Sequence, residues 1–204
     1  MKKLILASNS SRRQDILRKA GYSFSVHIAE IDENKYMKGE LSAEDTVALL
    51  SRLKGEAAVK EITGEYVLLS ADTIVVHENR IIGKPESPED AFHILKSLCS
   101  KCHKVYTAVT IFNVDNENID VIPILDSSDV YMGDLSDGEI ISYINTKEPM
   151  DKAGAYGIQG LAGLFVDKIE GDFYNVEGLP LRKVYKELKK LGIYPHAISD
   201  QYAY

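Results

Sequence analysis

Tyr66-Val67-Leu68-Leu69-Ser70-Ala71-Asp72-Thr73-Ile74-Val75-Val76 reads as one long strand of β-branched and aliphatic residues with a carboxylate in its middle. An ionised Asp in such surroundings is costly unless it is paired, hydrogen-bonded or bound to a metal. After the polar corner His77-Glu78-Asn79-Arg80 the chain returns as Ile81-Ile82-Gly83-Lys84-Pro85, a hairpin that carries Lys84 back toward Asp72. A three-residue loop puts the two on one face and a two-residue loop sets Lys84 with Thr73; the sequence leaves that register open. A structural Asp72–Lys84 salt bridge is the plain alternative to a site.

The 204 residues suit one large domain or two small lobes without a separable linker, and 45% hydrophobic content allows a sizeable core. A formal charge of −7 argues against a general nucleic-acid binder, so an anionic ligand needs a local cluster of cations or a metal ion. No apolar run approaches a membrane span, and the opening Met1-Lys2-Lys3-Leu4-Ile5-Leu6-Ala7 is too short for a signal peptide, so a cytoplasmic protein without membrane association is expected. Cys99-Ser100-Lys101-Cys102-His103 matches haem attachment, but it closes a helix in a chain with no export signal and is read as chance.

Outward from the central strand, Leu4 to Ala7 is a short buried strand leading through Ser8-Asn9-Ser10-Ser11 into a helix that begins with Arg12-Arg13 and stops at Gly21. A strand, a small polar loop and a helix N-terminus form an anion site in which Ser8, Ser10, Arg12 and Arg13 are candidate ligands, the arginines relieved of the helix dipole by the anion. The alternative is a serine cap with two solvated arginines. Tyr22 to Ile28 alternates as a half-buried strand, which with the first strand and helix suggests a parallel βαβ unit. Glu30-Ile31-Asp32-Glu33 follows, a knot of carboxylates that is usually solvated surface and that, beside an anion site, also suits a hard divalent cation.

Ser42 starts a long helix on which Lys54 keeps the period of inward Leu50 and Ala58, with a snorkelling surface lysine as the default reading. Ser87-Pro88-Glu89-Asp90 and Ser136-Asp137-Gly138-Glu139 start two more. Val105–Val114 and Ile119–Leu125 read as a second hairpin, and Ser127–Met132 as a further strand. In Asp151-Lys152-Ala153-Gly154-Ala155-Tyr156-Gly157-Ile158-Gln159-Gly160 the repeated glycines suit a loop that wraps a ligand, with a flexible crossover as the plain alternative. Leu164–Val166 and Phe173–Val176 are expected to form a hairpin, and Gly178-Leu179-Pro180 to open a final amphipathic helix ending at Gly192.

Five of these blocks, in order, resemble the Maf family of nucleoside triphosphate pyrophosphatases, once described as septum-formation inhibitors. They are Leu6 to Arg13, Ser70-Ala71-Asp72-Thr73, Gly83-Lys84-Pro85, Asp151 to Gly160, and Asn175-Val176-Glu177-Gly178-Leu179-Pro180. The likeness runs from Leu4 to about Leu191. It departs from the family at Ser11 (usually Pro), Gly55 (usually Ala), Ala108 (often Gly) and Lys147 (usually Gly before Glu-Pro).

The resemblance implies an elongated α/β fold of the Maf/ITPase kind, a mixed sheet flanked by helices with two lobes around a nucleotide-binding cleft, often as a homodimer. It implies Mg²⁺- or Mn²⁺-dependent cleavage between the α- and β-phosphates. Asp72 falls on the family's proposed catalytic base, and Glu33, Lys54 and Lys84 on its other acidic and basic site positions; Glu33 and Asp72 would hold the metal. Arg12, Thr73 and Gln159 fall on positions linked to base selection and match the branch acting on dTTP and UTP. The rival readings are a nucleotide-binding regulator of septum formation without turnover, and a nucleotidyltransferase that needs a second substrate.

Overall fold

The computed structural model describes residues 2–36, 41–116 and 118–199. Its strands are β1 (Lys3–Ala7), β2 (Ser25–Val26), β3 (Tyr66–His77), β4 (Arg80–Ile82), β5 (Cys102–Val114), β6 (Ile119–Met132) and β7 (Val166–Glu170). The helices are α1 (Ser11–Lys19), α2 (Ala43–Val59), α3 (Pro88–Leu98), α4 (Asp137–Asn145), α5 (Phe173–Glu177), α6 (Leu181–Lys190) and α7 (His196–Ser199). One mixed sheet of seven strands has the order β2-β1-β3-β5-β6-β7, with β4 paired to β3, and helices flank it.

The sequence explains most of these boundaries. Ser10, Ser42, Ser87 and Ser136 each accept a hydrogen bond from a backbone N–H of the first turn of their helix, and Ser136 forms a full capping box with Glu139. β1 pairs in parallel with both β2 and β3, and α1 joins β1 to β2, as a βαβ unit requires. The second hairpin is longer than its pattern suggests: Ser127–Met132 continues Ile119–Leu125 as a single strand, β6.

The expected Leu164–Val166/Phe173–Val176 hairpin is not formed. β7 pairs antiparallel with β6, Asp129 opposite Glu170, and Phe173–Glu177 is one helical turn. Asp172 makes the difference: its Oδ1 accepts from Tyr174 N at 2.9 Å and its carbonyl from Asn175 N at 3.1 Å. Asn175, fully buried, donates through Nδ2 to Val105 O and Ser128 Oγ. Side-chain hydrogen bonds thus overrule the aromatic, β-like run Phe-Tyr-Asn-Val.

Two compact units divide the chain. The first takes the described residues of Met1–Asp72, Thr107–Leu125 and Gly178–Tyr204; the second takes Thr73–Tyr106 and Asp126–Glu177. The first unit has two apolar clusters. Leu6, Leu17, Leu69, Val109 and Leu188 pack in one, and Ile5, Ala58, Leu68 and Phe112 in the other. Gly55 explains itself here, because a Cβ on it would lie 2.1 Å from Phe112 Cε2 and 2.5 Å from Ser70 Oγ. Gly55→Ala should therefore lower stability by about 1–2 kcal/mol net of alanine's better helix propensity. Urea unfolding checks this; a more stable variant would mean that Phe112 moves aside at little cost.

The core of the second unit gathers Val75, Leu95, Leu98, Val130, Ile140 and Tyr156. Within it His103, 3% exposed, is hydrogen-bonded through Nε2 to the Tyr156 hydroxyl at 2.7 Å. Burial, and after it the nearby His77, push the His103 imidazole down to about 4. The unfolded chain takes up this proton near the ordinary value of 6.5, so stability is full above that value and falls as pH drops toward 4. The loss expected between pH 7 and 5 is about 2 kcal/mol. Urea midpoints should show it in the parent and much less of it in His103→Gln; an equal drop in both would assign the pH dependence to other groups.

Candidate active site

In the first unit, α2 carries Lys54 to Asp72. Three residues earlier on the helix, Ser51 shares a hydrogen bond with Thr110 Oγ1 at 3.0 Å and donates to Ser70 O at 3.3 Å. Ser70 Oγ donates to Ser51 O at 2.8 Å. This buried hydroxyl network fixes the rotation of α2 against β3 and β5, and so aims Lys54. Lys54 Nζ donates to Asp72 Oδ1 at 2.5 Å and reaches Glu33 Oε1 at 3.0 Å. Asp72 therefore has Lys54, not Lys84, as its ion partner. Lys54 is no surface lysine, its side chain being only 18% exposed.

Asp72 is buried, Glu33 exposed. Burial pushes the Asp72 carboxyl above its ordinary value, the charges of Lys54 and Arg13 pull it back, and the charge of Glu33 adds to the rise. A carboxylate with raised proton affinity is what abstraction of a proton from water requires. The Glu33 and Asp72 oxygens converge on one cationic nitrogen, and Mg²⁺ or Mn²⁺ asks for such hard donors. Among the described residues no three His, Cys, Asp or Glu side chains gather as a metal site. Two carboxylates of this kind would leave most positions on such an ion to waters and substrate phosphate oxygens.

The serine-rich loop is built as a cradle. Ser8 Oγ accepts from Ser10 N at 3.3 Å and from Arg13 Nη1 at 3.1 Å, while Ser10 Oγ caps α1. Arg13 is buried, and its Nε donates to Gly178 O at 2.9 Å. Desolvation pushes the guanidinium pKa down and Asp72 opposes that. Both serine side chains and two Arg13 N–H groups are thus engaged with the protein, which makes Arg13 a clamp between the loop and Gly178. Arg12, next to it, is only half-buried. The Gly178 carbonyl could not have been named from sequence; the block around it was the only signal.

Thr73, Lys84 and Gln159 belong to the second unit. The β3–β4 loop has two residues, Glu78 and Asn79, both with positive φ (48° and 61°), and His77 pairs with Arg80. That is the primed turn that matches strand twist. Counted on from the Val75–Ile82 pair, the register sets Lys84 with Thr73, although β4 ends at Ile82 and Lys84 is exposed. The Asp151–Gly163 stretch forms short 3-10 turns, with Gln159 exposed on the turn closed by Gly160 N donating to Gly157 O at 2.9 Å. Lys147, in place of the family's usual glycine, sits at φ 64°, a left-handed position that glycine adopts without strain. Cys99 and Cys102 are free thiols. No helix among the described residues is long and apolar enough to cross a membrane.

A family model described as Maf-like protein matches residues 3–191. The dTTP/UTP pyrophosphatase of Alkaliphilus oremlandii is 45% identical over 184 residues, covering 90% of this chain and 93% of that one. The dTTP/UTP pyrophosphatase of Clostridium perfringens is 44% identical over 192 residues, covering 94% and 98%. That of Bacillus thuringiensis subsp. konkukian is 39% identical over 193 residues, covering 95% and 97%. Among solved structures, a HAM1 protein from Coxiella burnetii matches with a TM-score of 0.47 and 12% identity, over 93% of this chain and 100% of that one.

Proposed function

We propose, for a chain that belongs to the Maf-like protein family, that it hydrolyses dTTP and UTP to the nucleoside monophosphate and pyrophosphate, clearing these or modified pyrimidine nucleotides from the pool. The observation that carries the reading is the convergence of Glu33 and Asp72 on Lys54 beside the Arg13 clamp. The relatives named dTTP/UTP pyrophosphatase support the choice of substrate.

In this proposal Asp72 holds the attacking water and accepts its proton. A Mg²⁺ or Mn²⁺ ion held by Glu33 and Asp72 would supply Lewis acidity toward the phosphate oxygens. Lys54 and Arg12 neutralise the charge that grows on the departing pyrophosphate, and Arg13 keeps the serine loop in shape at the N-terminus of α1, whose dipole favours the anion. Lys84, Thr73 and Gln159 enter by their motif positions: a further cation for the polyphosphate, and a hydroxyl and an amide for the base. The amide offers both donor and acceptor to a base edge. A cytoplasmic homodimer belongs to the proposal on the family likeness alone.

A screen of canonical and modified nucleoside triphosphates with Mg²⁺ and with Mn²⁺ tests it. Monophosphate plus pyrophosphate, with dTTP and UTP preferred and activity lost in excess chelator, is expected. Diphosphate plus orthophosphate would contradict the cleavage position, full activity in chelator the metal, and tight binding without turnover would favour a regulator.

A further inference from the structure

The turn that presents Gln159 is held from below by side chains to which no role has yet been given. Tyr143, on α4 and 3% exposed, donates its hydroxyl to Glu148 Oε1 at 2.9 Å and accepts from Gly157 N at 3.2 Å. Glu148 Oε2 accepts from Leu161 N at 3.3 Å. The backbone N–H groups two residues to either side of Gln159 are thus tied to one Tyr–Glu pair. The Glu148 carboxylate lies under the turn so closely that a Cβ on Gly160 would be 2.2 Å from its Oε1. Lys152, 9% exposed, completes the base: its Nζ donates to Glu148 O at 2.5 Å and Asp151 Oδ1 at 2.7 Å, and its stem passes 2.7 Å from where a Gly157 Cβ would stand.

The two glycines are therefore explained by what lies beneath them, not by backbone freedom to wrap a ligand. Neither has a positive φ between +20° and +160°. A turn pinned at both shoulders leaves its exposed tip, Gln159, few orientations. Pre-organisation of that kind is what discrimination between base edges needs, since a loose amide can satisfy several edges equally well.

We propose that Glu148, with Tyr143, is a positioning residue for base selectivity: the pair holds the Gln159 turn in the geometry that prefers dTTP and UTP. The inference rests on the reading of Gln159 as the residue that meets the base. Because the brace acts on the turn that meets the base and not on the attacking water or the leaving group, its loss should appear in KM and in substrate ranking rather than in kcat.

The test compares kcat and KM for dTTP, UTP, dCTP and dGTP in Glu148→Ala, Glu148→Gln, Tyr143→Phe, Gln159→Ala and the Glu148→Ala/Gln159→Ala double variant, with amide hydrogen exchange at Gly157 and Leu161. Tyr143→Phe keeps the ring against Phe165 and serves where Glu148→Ala does not fold. Expected are faster exchange at Leu161 in Glu148→Ala and at Gly157 in Tyr143→Phe, in both a preference for dTTP over dGTP reduced about tenfold with kcat nearly unchanged, and partial recovery in Glu148→Gln, which keeps one acceptor oxygen. The double variant should be no less selective than Gln159→Ala alone, because both changes remove the same discrimination. If Gln159→Ala flattens the ranking while the brace variants keep it, the positioning role is overturned and the Gln159 reading stands. If Gln159→Ala itself keeps the ranking, the Gln159 reading falls and the positioning role falls with it.

Discussion

Asp72→Asn is expected to lower turnover of the best triphosphate by a factor of about 10²–10⁴, the range for loss of a general base, while leaving the fold as stable as the parent or up to about 2 kcal/mol more stable. The asymmetry follows from the surroundings. Desolvation is the largest influence on this carboxylate and Glu33 adds repulsion, so ionised Asp72 is held at a cost. Its partner is not stranded by the change, because Lys54 Nζ keeps Glu33 Oε1 at 3.0 Å. Nucleotide binding should persist through Arg12 and Lys54. Urea unfolding and single-turnover kinetics on the same preparation separate the outcomes. A variant that unfolds early yet turns over normally when folded would make Asp72 a strut and not a catalyst.

Lys54→Met should do the reverse to stability. It leaves Asp72 buried with its nearest cation gone and Glu33 unneutralised, and removal of one partner from a buried pair costs about 3–5 kcal/mol. The loss should be greatest at neutral pH. Without Lys54 the Asp72 carboxyl moves further up from its already raised value. The folded state then favours the protonated acid, so the deficit shrinks as pH falls through the folded value and the carboxyl protonates. Adding Asp72→Asn to Lys54→Met should recover most of the stability and none of the turnover. A Lys54→Met deficit that is the same at every pH, or that the second change does not relieve, would mean that lysine packing and not its charge carries the effect.

The sequence made the parts of the first unit readable where local chemistry decides structure. The serine caps of α1 and α2 and the continuous apolar runs of β1 and β3 are consequences of nearest neighbours, and they place the cradle, α2 and Asp72 in order. The partner of Asp72 was not readable. Periodicity could say that Lys54 keeps company with Leu50 and Ala58, but not that Ser51, Ser70 and Thr110 would set the helix so that its ammonium reaches β3. The hairpin register depended on Glu78 accepting a positive φ, which no propensity for glutamate suggests. Phe173–Val176 has a β-like composition, but the Asp172 and Asn175 side chains make a helical turn cheaper. Glu148 and Gly160 stand twelve residues apart, so the brace under Gln159 is invisible until the loop is folded.

In the proposed reaction water attacks the α-phosphorus and pyrophosphate leaves. It is tested most directly by letting the protein hydrolyse dTTP in water enriched in heavy oxygen, with Mg²⁺ present, and locating the label by phosphorus NMR. Label on the phosphorus of dTMP and unlabelled pyrophosphate are expected. Label in pyrophosphate, label in orthophosphate beside dTDP, or nucleotide bound and returned intact would contradict it.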